Sequence, residues 1–162
     1  MNQAELKERI AVADKSPKQI AAAVSGLPDA VLRYKPAANK WSILEILGHL
    51  ADIEIVYAHR FRQMLADQKP ALAPVDVDDW ANSLGYTEES PAELVAAYGL
   101  NRHRTLQLLR RLKPGDLEKS AFHPEHQRNV TVAEYVEMIA THGANHLAQI
   151  ERLKKTAVGK PA

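Results

Sequence analysis

Apolar side chains recur three and four residues apart through three long stretches of this chain. Between about 42 and 67 they are Leu44, Leu47, Leu50, Ala51, Ile53, Val56, Tyr57, Phe61, Met64 and Leu65. From about 91 to 112 they are Leu94, Val95, Tyr98, Leu106, Leu109 and Leu112, and from about 132 to 156 they are Val132, Tyr135, Val136, Ile139, Leu147, Ile150 and Leu153, with Gly143 on the same stripe. This spacing lays one stripe along a helix; a strand would alternate by two. A further run over roughly 3–25 also reads as helical, broken or kinked at Pro17, whose ring removes a backbone donor and crowds the preceding turn. No segment alternates convincingly enough to predict a strand. Four helices around one core predict an all-α four-helix bundle, one domain spanning residues 1–162.

Helix starts are marked by Ser or Thr followed three residues later by Glu or Gln, the pattern in which side chain and backbone cap each other. Ser42–Glu45, Ser90–Glu93, Thr131–Glu134 and Ser16–Gln19 all fit, and Pro17 and Pro91 fall where a first helical residue needs no N–H. Stops stand at Gly26, Pro70, Lys113-Pro114-Gly115 and Gly159, and the tail Thr156–Ala162 is expected to fray. The connection from about 68 to 90, with Pro70, Pro74, Asp76, Asp78, Asp79 and Trp80, is too long for a simple turn. It predicts a crossover between the second and third helices.

Composition narrows the chemistry. The chain has 162 residues with 21 basic and 20 acidic side chains, a net charge of +1, so no bulk field recruits nucleic acid or an anionic membrane. The absence of cysteine removes disulfides, zinc–thiolate sites, iron–sulfur clusters and thiol nucleophiles. The N-terminal residues show no secretory pattern, and no apolar run approaches the ~20 residues of a membrane span, which makes the cytoplasm the expected location.

Against that background the histidines stand out. His142 and His146 are four apart on the last helix and interrupt a stripe that continues through Tyr135, Ile139, Ile150 and Leu153; His49 interrupts another between Ile46 and Ile53. Side chains at i and i+4 share a helix face. Two imidazoles so placed can bind one metal ion at about 2.0–2.1 Å, and a third from a facing helix leaves a coordination position open. Burying three imidazoles without partners would cost a few kcal/mol for each unsatisfied group. The competing reading is that these are core or capping histidines bonded to carboxylates. No H-E-x-x-H occurs, so a zincin-type general base is not indicated.

The stretch Lys40-Trp41-Ser42-Ile43-Leu44-Glu45-Ile46-Leu47-Gly48-His49-Leu50-Ala51-Asp52-Ile53-Glu54, followed late in the chain by His142-Gly143-Ala144-Asn145-His146-Leu147-Ala148-Gln149-Ile150, resembles the DinB/YfiT superfamily. The resemblance covers nearly the whole chain. It implies an up-down-down-up four-helix bundle that binds a divalent metal through three histidines, here His49, His142 and His146. It also implies frequent homodimers. Many members carry an acidic residue directly after the first histidine of the final pair, where this chain has Gly143.

Smaller expectations attach to single residues. Asp52, one turn after His49, is a candidate to orient that ring; Trp41 is expected to pack at the start of its helix. Gln149 and His123 are the candidate catalytic side chains, with His126 as a weaker neighbour, while His59 and His103 read as surface residues. The leading function is a metal-dependent enzyme acting on a small molecule, either a hydrolase or a thiol S-transferase. The cofactor is zinc or nickel, then iron or manganese. A low-molecular-weight thiol would have to arrive as cosubstrate, since the chain offers none. The alternatives are a non-catalytic metal- or ligand-binding stress-response protein and a dimerisation module with a fortuitous histidine cluster. Neither nucleic acid nor membrane is expected as a partner.

Overall fold

The computed structural model describes residues 1–158. In chain order the elements are α1 (Gln3–Val24), α2 (Asp29–Leu32), α3 (Ile43–Ala66), α4 (Val77–Ser83), α5 (Pro91–Leu109), the strands β1 (Ser120–His123) and β2 (Arg128–Thr131), and α6 (Val132–Val158). Single turns of tighter helix at Tyr86–Glu88 and Pro114–Glu118 complete the connections. Among the described residues no helix is long and apolar enough to cross a membrane.

The four long helices form the bundle, and their cross-contacts fix its course. Arg9 pairs with Glu137 and Ser16 abuts Gly143, so α1 and α6 run parallel. Glu54 pairs with Arg102 while Leu44 and Leu94 share an apolar cluster, so α3 and α5 are parallel too. Asp14 meets Arg110 and Pro17 lies near Gly99, which makes α1 and α5 antiparallel. His49 meets His146 and Phe61 meets Tyr135, so α3 and α6 are antiparallel. The result is the up-down-down-up order. Parallel neighbours cannot be joined by a tight turn, which is why residues 67–90 must travel the length of the bundle.

Capping explains where three of the long helices begin. Ser42 accepts from Glu45 N while the Glu45 carboxylate accepts from Ser42 N, and Thr131 and Glu134 do the same. Asn2 and Glu5 form a further reciprocal cap at α1. The Ser90 side chain makes no such bond, so α5 starts on Pro91 alone. The expected cap at Ser16 is also absent, because α1 runs unbroken through Pro17. A proline inside a helix strips the carbonyl four residues earlier of its N–H partner. Here that carbonyl belongs to Ala13, and it is served instead by Ser16 Oγ at 2.8 Å and Arg102 Nη1 at 3.2 Å.

A further expectation is corrected. Residues 120–131 form a two-stranded antiparallel hairpin, with Ser120 opposite Thr131 and His123 opposite Arg128. Its strands are four residues each, too short for alternation to rise above the helical pattern around them, although Ala121 and His123 are buried between exposed neighbours. Thr156–Val158 remain helical; Gly159–Ala162, with the rest of the expected frayed tail, lie outside the described residues.

The core divides along the bundle axis. One apolar cluster gathers Leu6, Ile10, Phe61, Leu106, Tyr135 and Ile139; another gathers Ile20, Ile43, Leu47, Leu94, Ile150 and Leu153. Polar groups run between them. Arg102 and Glu54, 1% and 0% exposed at their side chains, pair at 2.8 Å. Arg102 Nη1 also donates to Ser16 Oγ and Ile139 O, each at 3.2 Å. Burial pushes the Glu54 carboxyl upward against the opposing charge of Arg102.

Removing one member of such a pair strands the other in the core, at a cost of about 3–5 kcal/mol, whereas removing both is far milder. Arg102→Met should therefore lower the stability measured by urea unfolding by about that amount. Arg102→Met/Glu54→Leu should recover most of the loss, and a double variant as unstable as the single one would refute the assignment.

Candidate metal centre

His49 projects from the second turn of α3, and His142 and His146 from the middle of α6. Because α3 and α6 are antiparallel neighbours, the three rings meet. His142 Nε2 lies 3.2 Å from His49 Nε2 and 3.2 Å from His146 Nε2. One nitrogen from each ring falls within a sphere of contacts no wider than 4.8 Å. Three nitrogens bound tetrahedrally at about 2.0–2.1 Å would stand about 3.3 Å apart. The two short separations match that edge length.

Proton placement tells the same way. Gln149 Oε1 can only accept, so His146 Nδ1, 3.0 Å away, carries the proton and leaves a lone pair on Nε2. That lone pair faces the other two Nε2 atoms. His142 Nε2 can donate to one neighbour at most, so the cluster holds more acceptor capacity than protons to share. A cation at the centre would resolve the conflict. Burial lowers the pKa of His49 to about 3, with the charge of His146 adding to it, and lowers that of His142 to about 2, with His146 and His49 contributing. His146 is lowered as well, by burial, partly offset by Gln149. All three rings are therefore neutral near pH 7, as ligation by imidazole requires.

Aromatic rings enclose the cluster. Trp41 lies 4.8 Å from the His49 ring and stacks on His146 at 6.3 Å and 11°, while the edge of Tyr57 meets His142 at 5.6 Å. Two glycines permit the close packing. A Cβ on Gly48 would sit 2.2 Å from Tyr86 Cγ, so only glycine lets the Tyr86 turn of the crossover lie on α3 beside His49. A Cβ on Gly143 would fall 2.5 Å from Ser16 Cβ and 2.8 Å from Tyr98 Oη. Gly143 thus faces α1 and α5 rather than the imidazoles. An acidic residue there would point into the Arg102 layer, where this chain supplies Glu54.

The remaining sequence candidates divide. Asp52 does not serve His49 in this structure; its Oδ2 accepts from Tyr86 Oη at 2.7 Å. Gln149 touches the cluster through His146. His123 does not join it. Its Nε2 is 3.3 Å from Arg60 Nη1, its Nδ1 is 3.0 Å from Glu125 Oε2, and its ring packs on His126 and Tyr135. Sequence reasoning missed Arg60, which donates to Glu125 Oε1 at 2.7 Å and to Ala73 O, tying α3, the crossover and the hairpin together. The only signal was an arginine on the apolar stripe of α3. A concavity of about 500 Å³ lined by Ala21, Val24, Leu27 and Pro91 lies at the ends of α1 and α5 and touches none of these histidines.

The DinB superfamily model matches residues 13–150. The chain belongs to the DinB superfamily. A protein of Oceanobacillus iheyensis named "Putative metal-dependent hydrolase" is 30% identical over 115 residues, a match covering 71% of this chain and 66% of that one. YfiT of Bacillus subtilis, which carries the same description, is 24% identical over 146 residues, covering 90% of this chain and 82% of YfiT. The solved structure of YfiT, described as a probable metal-dependent hydrolase with an unusual four-helix bundle topology, superposes with a TM-score of 0.90 at 22% identity, over 96% of this chain and 89% of YfiT. That likeness establishes the bundle topology.

The depressed histidine pKa values set a pH dependence for the metal-free chain. In the unfolded state these rings take up protons near 6.5, whereas in the fold His123, lowered to about 4 by burial and then by Arg60, and His49, lowered to about 3, stay neutral. The unfolded state then binds more protons, so stability is fully present above about pH 6.5 and falls as the pH drops towards 4 and below. Each buried ring contributes at most about 1.4 kcal/mol per pH unit across that window. Urea midpoints of chelator-treated protein should be level from pH 7 to 8 and decline steadily from pH 6 to 4.5. A midpoint unchanged across that acid range would contradict the burial of neutral imidazoles.

Proposed function

We propose that the chain is a divalent-metal-dependent enzyme, a hydrolase of a small molecule, with the metal held by the Nε2 atoms of His49, His142 and His146. The observation that carries this reading is the convergence of three imidazoles from two helices, with two of their nitrogen separations at tetrahedral-edge spacing. A bound divalent ion would supply Lewis-acid activation of water or of a substrate oxygen. Nitrogen ligands suit zinc or nickel first, then iron or manganese.

The chain's own residues define the rest. Three protein ligands leave room for a further one, as in catalytic rather than structural sites. Three uncharged ligands cancel none of the ion's charge, which favours anionic species at the reaction centre. Gln149 holds His146 in the tautomer that presents Nε2. Trp41 and Tyr57 wall the rings from water and restrict their rotation.

One observation favours a second reading, transfer to a low-molecular-weight thiol. Among the described residues no Asp or Glu joins the cluster, and Asp52 is engaged by Tyr86. Water needs a base to accept its proton, whereas a thiol with a pKa of about 8.5 gives up its own more readily.

Purified protein should bind about one zinc or nickel ion per chain. A ligand that binds only the folded state at a hundredfold excess over Kd adds about 2.7 kcal/mol, which for a domain of this size raises the melting midpoint by about 5–10 °C. Alanine at His49, His142 or His146 should abolish that rise and lower the metal content measured by mass spectrometry, while His59→Ala should leave both intact. Gln149→Leu should weaken metal affinity by about 10- to 100-fold, the range for loss of a group that orients a ligand. Unchanged stoichiometry in all three alanine variants would end the metal assignment. Metal-loaded protein assayed on ester and amide panels, then on electrophiles with added thiols, separates hydrolysis from transfer. Turnover of neither class would favour a binding protein.

A further inference from the structure

A concavity of about 250 Å³ opens between the segment leading into α3 and the last turns of α6. Trp41, Pro36 and Leu153 give it apolar walls, and Gln149, Lys40 and Arg152 give it polar ones. It is continuous with the imidazole cluster through two residues. The Trp41 ring stacks on His146, and Gln149 Oε1 accepts from His146 Nδ1.

Charge decides what such a space would hold. Lys40 and Arg152 are its only charged lining residues, and both are basic. Nearby cations are neutralised: Lys35 pairs with Glu45 at 2.7 Å and Lys154 with Glu151 at 2.8 Å. Among the described residues neither Lys40 nor Arg152 has a carboxylate partner. A neighbouring concavity of about 390 Å³ shares Lys40 and Trp41 but carries Asp78 on its wall, so it favours an anion less. The volume of the first suits part of a small molecule and is too small for a macromolecular segment.

We propose that this concavity binds the anionic end of a small organic substrate, a carboxylate set between Lys40 and Arg152 with a flat or apolar portion against Trp41. As a substrate site it rests on the metal-enzyme reading above. As an anion site it stands on its own lining. Trp41 then serves both spaces, stacked on His146 and forming a wall of the concavity. A substrate anchored there would extend around Trp41 towards the three histidines, and molecules lacking the anionic end would bind weakly.

The probe pair is phenylacetate and phenylacetamide, alike in size and differing in charge. The chain has two tryptophans, so Trp80→Phe leaves Trp41 as the only indole, and its fluorescence reports occupancy. Titrations are run on zinc-loaded full-length chain and, in parallel, on chain stripped of metal and freed of chelator. Phenylacetate should bind roughly fivefold or more tightly than the amide in both forms, the difference expected for charge-assisted over neutral hydrogen bonds, and should weaken as salt is raised. Lys40→Gln/Arg152→Gln, at exposed positions, should erase that preference without changing metal stoichiometry or the circular dichroism spectrum. Lys40→Arg/Arg152→Lys should retain it. Equal binding of the two probes by the wild-type pocket would overturn the proposal. So would a preference that survives in Lys40→Gln/Arg152→Gln, or one present only in the zinc-loaded form, since the carboxylate would then be binding elsewhere. A chain that binds none of zinc, nickel, iron or manganese yet keeps the charge preference would defeat the metal reading and leave the anion site intact.

Discussion

Arg102 sits on α5 and reaches each of the other long helices: Ala13 O and Ser16 Oγ on α1, Glu54 on α3 and Ile139 O on α6. A guanidinium buried to 1% exposure tolerates that position because Glu54 pairs its charge and its Nε and Nη1 donors are met. The helices must therefore approach at one height and in one rotation, which sets the register of the whole bundle. The unusual treatment of Pro17 belongs to the same arrangement. The carbonyl it orphans is one that Arg102 and Ser16 both reach, so the proline is tolerated in mid-helix because a polar layer happens to lie there.

The imidazole cluster depends on this register. His142 lies one turn beyond Ile139, whose carbonyl Arg102 holds, and Gly143 lets α6 close onto Ser16 and Tyr98 without a side chain in the way. On α3, Glu54 fixes the rotation that also turns His49 inward. His49 is then buried and His142 and His146 half-buried without any carboxylate beside them, which keeps them neutral and leaves their lone pairs directed at one another. The proposed affinity for a cation would follow from that frustration more than from any single residue.

The crossover and the hairpin perform a different task. Tyr86 lies over Gly48 and bonds Asp52, pinning the crossover to α3 beside His49, while Arg60, Glu125 and His123 fasten the hairpin to the far half of α3. Both devices use charged or hydroxyl groups at the edge of the apolar core, where a hydrogen bond made out of water fixes a loop in one place. His123, a catalytic candidate from the sequence, takes part in this attachment.

The sequence alone determined the parts governed by local periodicity and local hydrogen bonds. The apolar spacings of α3, α5 and α6, the reciprocal caps at Ser42 and Thr131, and the need for a long crossover all depend on residues within a few positions of one another. The pairing of His142 with His146 was legible for the same reason, since one turn of helix sets their distance. His49 was legible as a polar interruption of an apolar stripe, but its meeting with the pair required the antiparallel packing of α3 on α6. The tertiary structure decided what nothing local encodes. It carried α1 through Pro17, because a guanidinium far along the chain reaches Ala13. It made Asp52 a partner of Tyr86 instead of His49, and it made Arg102 and Arg60 buried ties between elements. It built a hairpin from segments of four residues whose burial comes from other elements. Long-range partners decide the fate of a buried polar group, and their proximity exists only once the helices have packed.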